Sequence, residues 1–186
     1  MGEIKDYLWP LPSIGGLISI IAILCPAAYF TIVSPGFFSG FYRVELWMWN
    51  LAYNPNYGWL LGGGFNVYGS SLDFSLNFDF SCLIVGLIFS CIIIIVSLFT
   101  IFYANQVRKR KIKPSKAIKF WFLFAIIMSI SVIGWMLTQE FFIRQASTFN
   151  DMPFSFWTHF TPGFGIIGPF IASLLIFINI LLAKIL

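Results

Sequence analysis

Four stretches of the chain carry almost nothing but apolar side chains for about twenty residues. That is the length a helix rising about 1.5 Å per residue needs to cross about 30 Å of hydrocarbon. They lie near residues 13–33, 80–104, 120–139 and 163–183, and none contains Lys, Arg, Asp or His. Four such runs in 186 residues are more apolar surface than a water-soluble core of this size can hide. The pattern predicts a single membrane domain, residues 1–186, folded as an all-α transmembrane four-helix bundle. Pro26 and Pro169 fall inside two of the spans and are expected to kink them.

Between the first two spans the period changes from helical to two. Residues 72–80 alternate apolar and polar without interruption, which predicts a strand with one wet face. Gly69, Ser70 and Ser71 supply a turn before it, and residues 65–68 can pair back as a hairpin. Residues 41–49 are aromatic and β-branched enough for another strand, closed by the breaker run Asn54, Pro55, Asn56, Tyr57, Gly58. The reading is a small extracellular antiparallel β-sheet of three or four strands between helices 1 and 2. Within it, Gly62, Gly63 and Gly64 mark a bulge or a mobile tip.

Composition agrees with the pattern: 59% of residues are apolar, 20% aromatic and only 10% charged, with a mean hydropathy of +0.90. Soluble domains carry about a quarter charged residues, so a cytosolic enzyme, a disordered chain and a disulfide scaffold are all excluded as readings. The net charge of +4 is concentrated. Arg108, Lys109, Arg110, Lys111, Lys113, Lys116 and Lys119 hold seven of the eleven basic residues, leaving −3 for the rest of the chain (+4 less 7). A short basic loop stays in the cytoplasm, so this positive-inside loop, 105–119, orients the whole chain. Both termini are then cytoplasmic, the loops 34–79 and 140–162 are external, and the protein is a multi-pass protein of the cell membrane. A basic patch confined to one loop makes nucleic acid a poor partner and anionic lipid a better one, with Arg108, Lys109, Arg110, Lys111 and Lys113 as the contacts. Setting orientation alone accounts for the loop equally well. Pro114 and Ser115 are expected to end it, with Ser115 capping the third helix.

The first span reads as retained rather than as a signal peptide, because Lys5 is flanked by Glu3 and Asp6 and no small-x-small site follows. Cys25 reads as a small apolar residue inside the bilayer. Cys82 and Cys91 are nine apart, so they point to opposite helix faces and cannot share a metal. No cofactor or metal site emerges at any usual spacing.

Trp47, Trp49 and Trp59 are the candidate partner interface, since Trp is enriched at binding hot spots; packing under the sheet or at the headgroup boundary is the competing assignment. Around the first two, the chain reads Glu45, Leu46, Trp47, Met48, Trp49, Asn50. Together with four spans, cytoplasmic termini, a large first external loop and a short second one, this resembles the claudin and peripheral-myelin-protein-like tetraspan superfamily. Claudins carry Gly-Leu-Trp-x-x-Cys in that sheet: Leu46 and Trp47 match, while Glu45 stands at the Gly position and Asn50 at the first Cys. The resemblance implies adhesion, scaffolding or service as an auxiliary subunit of a membrane complex.

Catalysis has little to work with. Asp151, Ser155 and the single histidine, His159, lie close in sequence, but no nucleophile elbow surrounds Ser155. Coupled transport normally places ionisable groups in midspan, and the spans hold none. Glu140 and Arg144, four apart, read as a surface pair. Helix association is better supplied: Gly86 with Ser90 and Gly168 with Ala172 form small-xxx-small steps, with Gly163 and Gly165 nearby. The expectation is a non-catalytic membrane protein with a membrane-protein partner or a second copy of itself, the alternative being a small oligomeric channel or transporter.

Overall fold

Residues 8–33, 41–54, 58–61, 65–66, 75–76, 80–146 and 155–185 are described by the computed structural model. Helix α1 spans Pro10–Ile23. Pro10 opens it at a position whose amide has no helical partner in any case. A tight turn closes it, with Leu24 N–H donating to Ile21 O (3.0 Å) and Cys25 N–H to Ala22 O (2.9 Å). Pro26 has no N–H to carry the ladder further, and the chain instead enters strand β1, Ala28–Val33. The expected helix over 13–33 is therefore corrected. Its apolar run is divided between a 14-residue helix and a strand, and Pro26 ends the helix where a kink was expected. Cys25 accordingly sits in the turn.

Strands β2 (Phe41–Leu46), β3 (Leu51–Asn54), β4 (Gly58–Leu61), β5 (Phe65–Asn66) and β6 (Ser75–Leu76) follow, then α2 (Phe80–Arg108) and α3 (Pro114–Ala146). A short α4 (Phe156–His159), strand β7 (Phe160–Pro162) and α5 (Phe164–Ile185) complete the order. Helices α2, α3 and α5 are long and apolar enough to cross a membrane; α1, at about 21 Å, is not. Helix α3 is also longer than the expected 120–139. It takes in Lys116 and Lys119 from the predicted basic loop and Glu140 and Arg144 from the predicted second external loop. Pro114 is its first residue, so Ser115 lies inside the helix and does not cap it. Lys113 O instead accepts from Lys116 N–H (3.0 Å) and Ala117 N–H (3.3 Å).

The larger sheet has five antiparallel strands in the order β4-β3-β2-β1-β7. Period two governs β2 and its extension, where Val44, Leu46 and Met48 are buried and Glu45, Trp47 and Trp49 only partly so. The anticipated hairpin is present as β5 against β6, with Phe65 opposite Leu76. Of the strand expected over 72–80, Ser75 and Leu76 are extended and Phe80 already belongs to α2; the intervening residues, like Gly62 to Gly64, lie outside the described residues.

Helix α1 packs on α2 and α5, α2 on α3, and α3 on α5. Small residues set these approaches. A Cβ on Gly168 would stand 2.4 Å from Ala22 Cβ, and one on Gly15 would stand 3.0 Å from Ala172 O. Lipid tails are as apolar as Leu, so between helices in a bilayer this closeness, which maximises dispersion contacts, replaces the hydrophobic effect as the source of association. One core cluster lies under the sheet, around Trp135 and Phe156. A second gathers Ala104, Val107, Trp121 and Ile180 at the opposite end, with Trp9 against it and the Arg108 guanidinium 5.0 Å from the Trp9 ring. The basic turn and the ends of α1 and α5 thus share one end of the molecule, and the sheet occupies the other.

Candidate functional site

Three backbone bonds tie the α1–β1 joint to the sheet and to the start of α5. Ala27 N–H donates to Leu46 O (2.7 Å), Gly163 N–H to Ala27 O (2.7 Å) and Gly165 N–H to Pro26 O (2.9 Å). The last two amides precede or lie in the first turn of α5, where a helix has no internal acceptor to offer, so the α1–β1 joint caps α5 with its own carbonyls. Only glycine permits this approach: a Cβ at 163 would lie 2.4 Å from Pro26 O, and one at 165 2.7 Å from Cys25 O.

A fourth anchor is Asn50. It sits in the turn between β2 and β3 with φ at 59°, a left-handed conformation that Asn tolerates better than most residues. Its Oδ1 accepts from Gln139 Nε2 at 2.9 Å, and both side chains are buried. Gly86 makes room for the pair, since a Cβ there would be 2.7 Å from both Asn50 Nδ2 and Met48 O. One turn along α2, Ser90 Oγ is buried with no hydrogen-bond partner, as are Trp135 Nε1 and Gln139 Oε1 on α3. Gly86 and Ser90 therefore differ in role. Gly86→Ala should cost about 2 kcal/mol by forcing the Asn50 turn outward, whereas Ser90→Ala, which breaks no bond, should stay within about 0.5 kcal/mol of wild type; thermal unfolding in detergent checks both.

Of the three candidate tryptophans, Trp47 donates its indole N–H to Leu24 O (3.1 Å), and Trp49 packs against the core under the sheet. Trp59 is the register partner of Tyr53, and its side chain lies outside the described residues. The register aligns a row across the strands that the sequence pattern did not reveal: Thr161 opposite Tyr29, Tyr29 opposite Glu45, and Glu45 opposite Tyr53. It is flanked by the buried row of Ala28 and Leu46, so it belongs to the face turned away from the helices.

Glu140 Oε2 accepts from Ser155 Oγ (3.0 Å) and Phe156 N–H (2.8 Å), fastening α4 to the end of α3. The Ser155 hydroxyl is thus engaged with a glutamate, and Asp151 and the His159 and Arg144 side chains lie outside the described residues. Among the described residues no group of three His, Cys, Asp or Glu could hold a metal ion.

At the other end, Lys109, Arg110, Lys111 and Lys113 form an exposed turn between α2 and α3. Exposed Arg108, Lys116 and Lys119 lie on the flanking helix ends. Ser97, Thr100 and Ser173, buried between the two ends, each donate to the carbonyl four residues back in their own helix.

Comparison with protein-family models, curated proteins and solved structures found no match.

Proposed function

We propose that the protein is a non-catalytic integral membrane protein, a claudin-like tetraspan that works by contact: adhesion, scaffolding or service as an auxiliary subunit of a membrane complex. Its four helices form a membrane bundle, α1 counting as the short fourth crossing. The basic turn and both termini face the cytoplasm and the sheet faces outward. The observation that carries this reading is the seating of the sheet. The backbone bonds of the α1–β1 joint, together with the Gln139–Asn50 pair, hold a five-stranded sheet on the helix ends, which is the rigidity a recognition platform requires, because an ordered surface loses less entropy on binding. The row Tyr29, Glu45, Tyr53 supplies aromatic and acidic groups to such a surface.

The orientation follows from seven exposed cations at one end, each worth about 1 kcal/mol against an anionic leaflet. Arg108, Lys109, Arg110, Lys111 and Lys113 are the proposed lipid contacts. The buried hydroxyls of Ser97, Thr100 and Ser173 are satisfied within their own helices, which favours a packed bundle over a polar path through one copy.

Crosslinking in native membrane should trap one recurrent larger partner, and Tyr53→Ala should weaken that capture at least several-fold. Selective conductance or uptake by the purified protein in liposomes would instead establish the channel or transporter alternative.

A further inference from the structure

Helix α3 serves as a ruler for the bilayer, because Lys119 and Glu140 bound a stretch of twenty residues without a charge. Helices α1 and α3 run in the same direction from the basic end, and Ser19 Oγ donates to Met128 Sδ at 3.0 Å, which fixes their relative height. Five residues further along α1, Leu24 is level with Ile133, seven residues short of Glu140. At the helical rise this places the end of α1 about 10 Å below the plane where the apolar stretch of α3 finishes. The face of α1 formed by Ile14, Leu17, Ile21 and Leu24 is exposed along its whole length, Leu24 most of all at 64%.

Ordinarily, irregular backbone at that depth is unfavourable, because a carbonyl in hydrocarbon has no water to bond. Here five of the seven carbonyls from Ile21 to Ala27 are matched by donors from the protein. Ile21 O and Ala22 O are taken by the closing turn, Pro26 O and Ala27 O by the α5 glycines, and Leu24 O by the Trp47 indole. Strand β1 then continues between β2 and β7, so over its root, Ala28 to Phe30, both edges are paired.

We propose that the α1–β1 joint is an intramembrane, lipid-facing element: acyl chains of the leaflet on the sheet side contact Leu24 and Trp47, and the root of the sheet sits inside the hydrocarbon layer. The first crossing is completed by a strand root, and the side-chain donor of Trp47 serves the helix–strand joint in place of water. This rests on the membrane reading above.

Nitroxide accessibility separates the two. In a variant with Cys25, Cys82 and Cys91 replaced, single labels are placed at Leu24, at Leu98 in the middle of α2 and at Thr158, and reconstituted in phosphatidylcholine vesicles. The expected result is oxygen access with nickel-complex shielding at both Leu24 and Leu98, with nickel collision on the order of tenfold below that at Thr158. Nickel access at Leu24 with Leu98 still shielded overturns the proposal alone, whereas nickel access at Leu98 as well overturns the membrane reading. Trp47→Phe, which keeps the aromatic bulk and removes the donor, should raise nickel access at Leu24 several-fold and leave Leu98 unchanged. An unchanged Leu24 in that variant would remove Trp47 from the account.

Discussion

Replacing Gly165 by Leu is expected to abolish the native fold or lower its stability by at least about 3 kcal/mol. A Cβ at this position would meet Cys25 O at 2.7 Å and both Ala27 Cα and Ala27 N at 2.8 Å. All three are backbone atoms of the joint between α1 and β1, so no side chain can swing aside to relieve the contact. Moving α5 outward would break the Gly165 N–H bond to Pro26 O and the Gly163 N–H bond to Ala27 O together. At Gly168 the obstacle is Ala22 Cβ at 2.4 Å, a side-chain atom on the face of a neighbouring helix. Small lateral shifts are open there, so Gly168→Ala should be the milder change. Urea or thermal unfolding in a fixed detergent, followed by near-UV signal from the buried tryptophans, measures the order Gly165→Leu worse than Gly168→Ala.

The second large effect is expected at Asn50. Asn50→Ile places a β-branched residue at φ 59°, removes the acceptor of Gln139 Nε2 and leaves that buried amide with neither end bonded. Strain of about 1–2 kcal/mol and an unsatisfied buried donor of about 1–3 kcal/mol combine to about 3 kcal/mol. Asn50→Gly relieves the backbone but loses the same hydrogen bond, so the difference between the two variants isolates strain from hydrogen bonding. Gln139→Leu combined with Asn50→Gly should be less harmful than the single changes sum to, because the second change removes the partner already orphaned by the first. Strict additivity in that cycle would mean the two side chains do not act as a pair.

The three long helices were legible in the sequence because an unbroken apolar run of twenty residues has few other uses. The short one misled for the same reason. From Ser13 to Val33 the apolar run never stops, and hydropathy alone does not register that Pro26 divides it into helix and strand. Strand β7 was invisible for a different cause: Phe160, Thr161 and Pro162 form a strand only because β1 offers an edge, and β1 is 132 residues away at the Tyr29 to Thr161 pairing. Gly86, Gly163, Gly165 and Gly168 stood out as small residues suited to close packing, which they are. Their partners were hidden: three of the four face backbone of the sheet root or the Asn50 turn, and only Gly168 faces a helix. Asn50 and Gln139 carried no pattern of their own. The one available signal was that Gln139 is a lone amide closing an otherwise apolar stretch, a residue that in such surroundings calls for a partner.

The charge distribution follows the same arrangement. The exposed cations sit where α2 and α3 are joined, beside Trp9 and the end of α5, while Glu140 is spent at the far end on Ser155 and Phe156. Helix ends and charge agree on one axis.

The central claim is that the two ends of that axis lie on opposite sides of a membrane. Single cysteines at Ser115 and Thr158, in a background lacking Cys25, Cys82 and Cys91, test it most directly by reaction with a membrane-impermeant maleimide on intact cells. The prediction is labelling of Thr158 on intact cells and of Ser115 only after permeabilisation. Labelling of both from the same side would contradict the account.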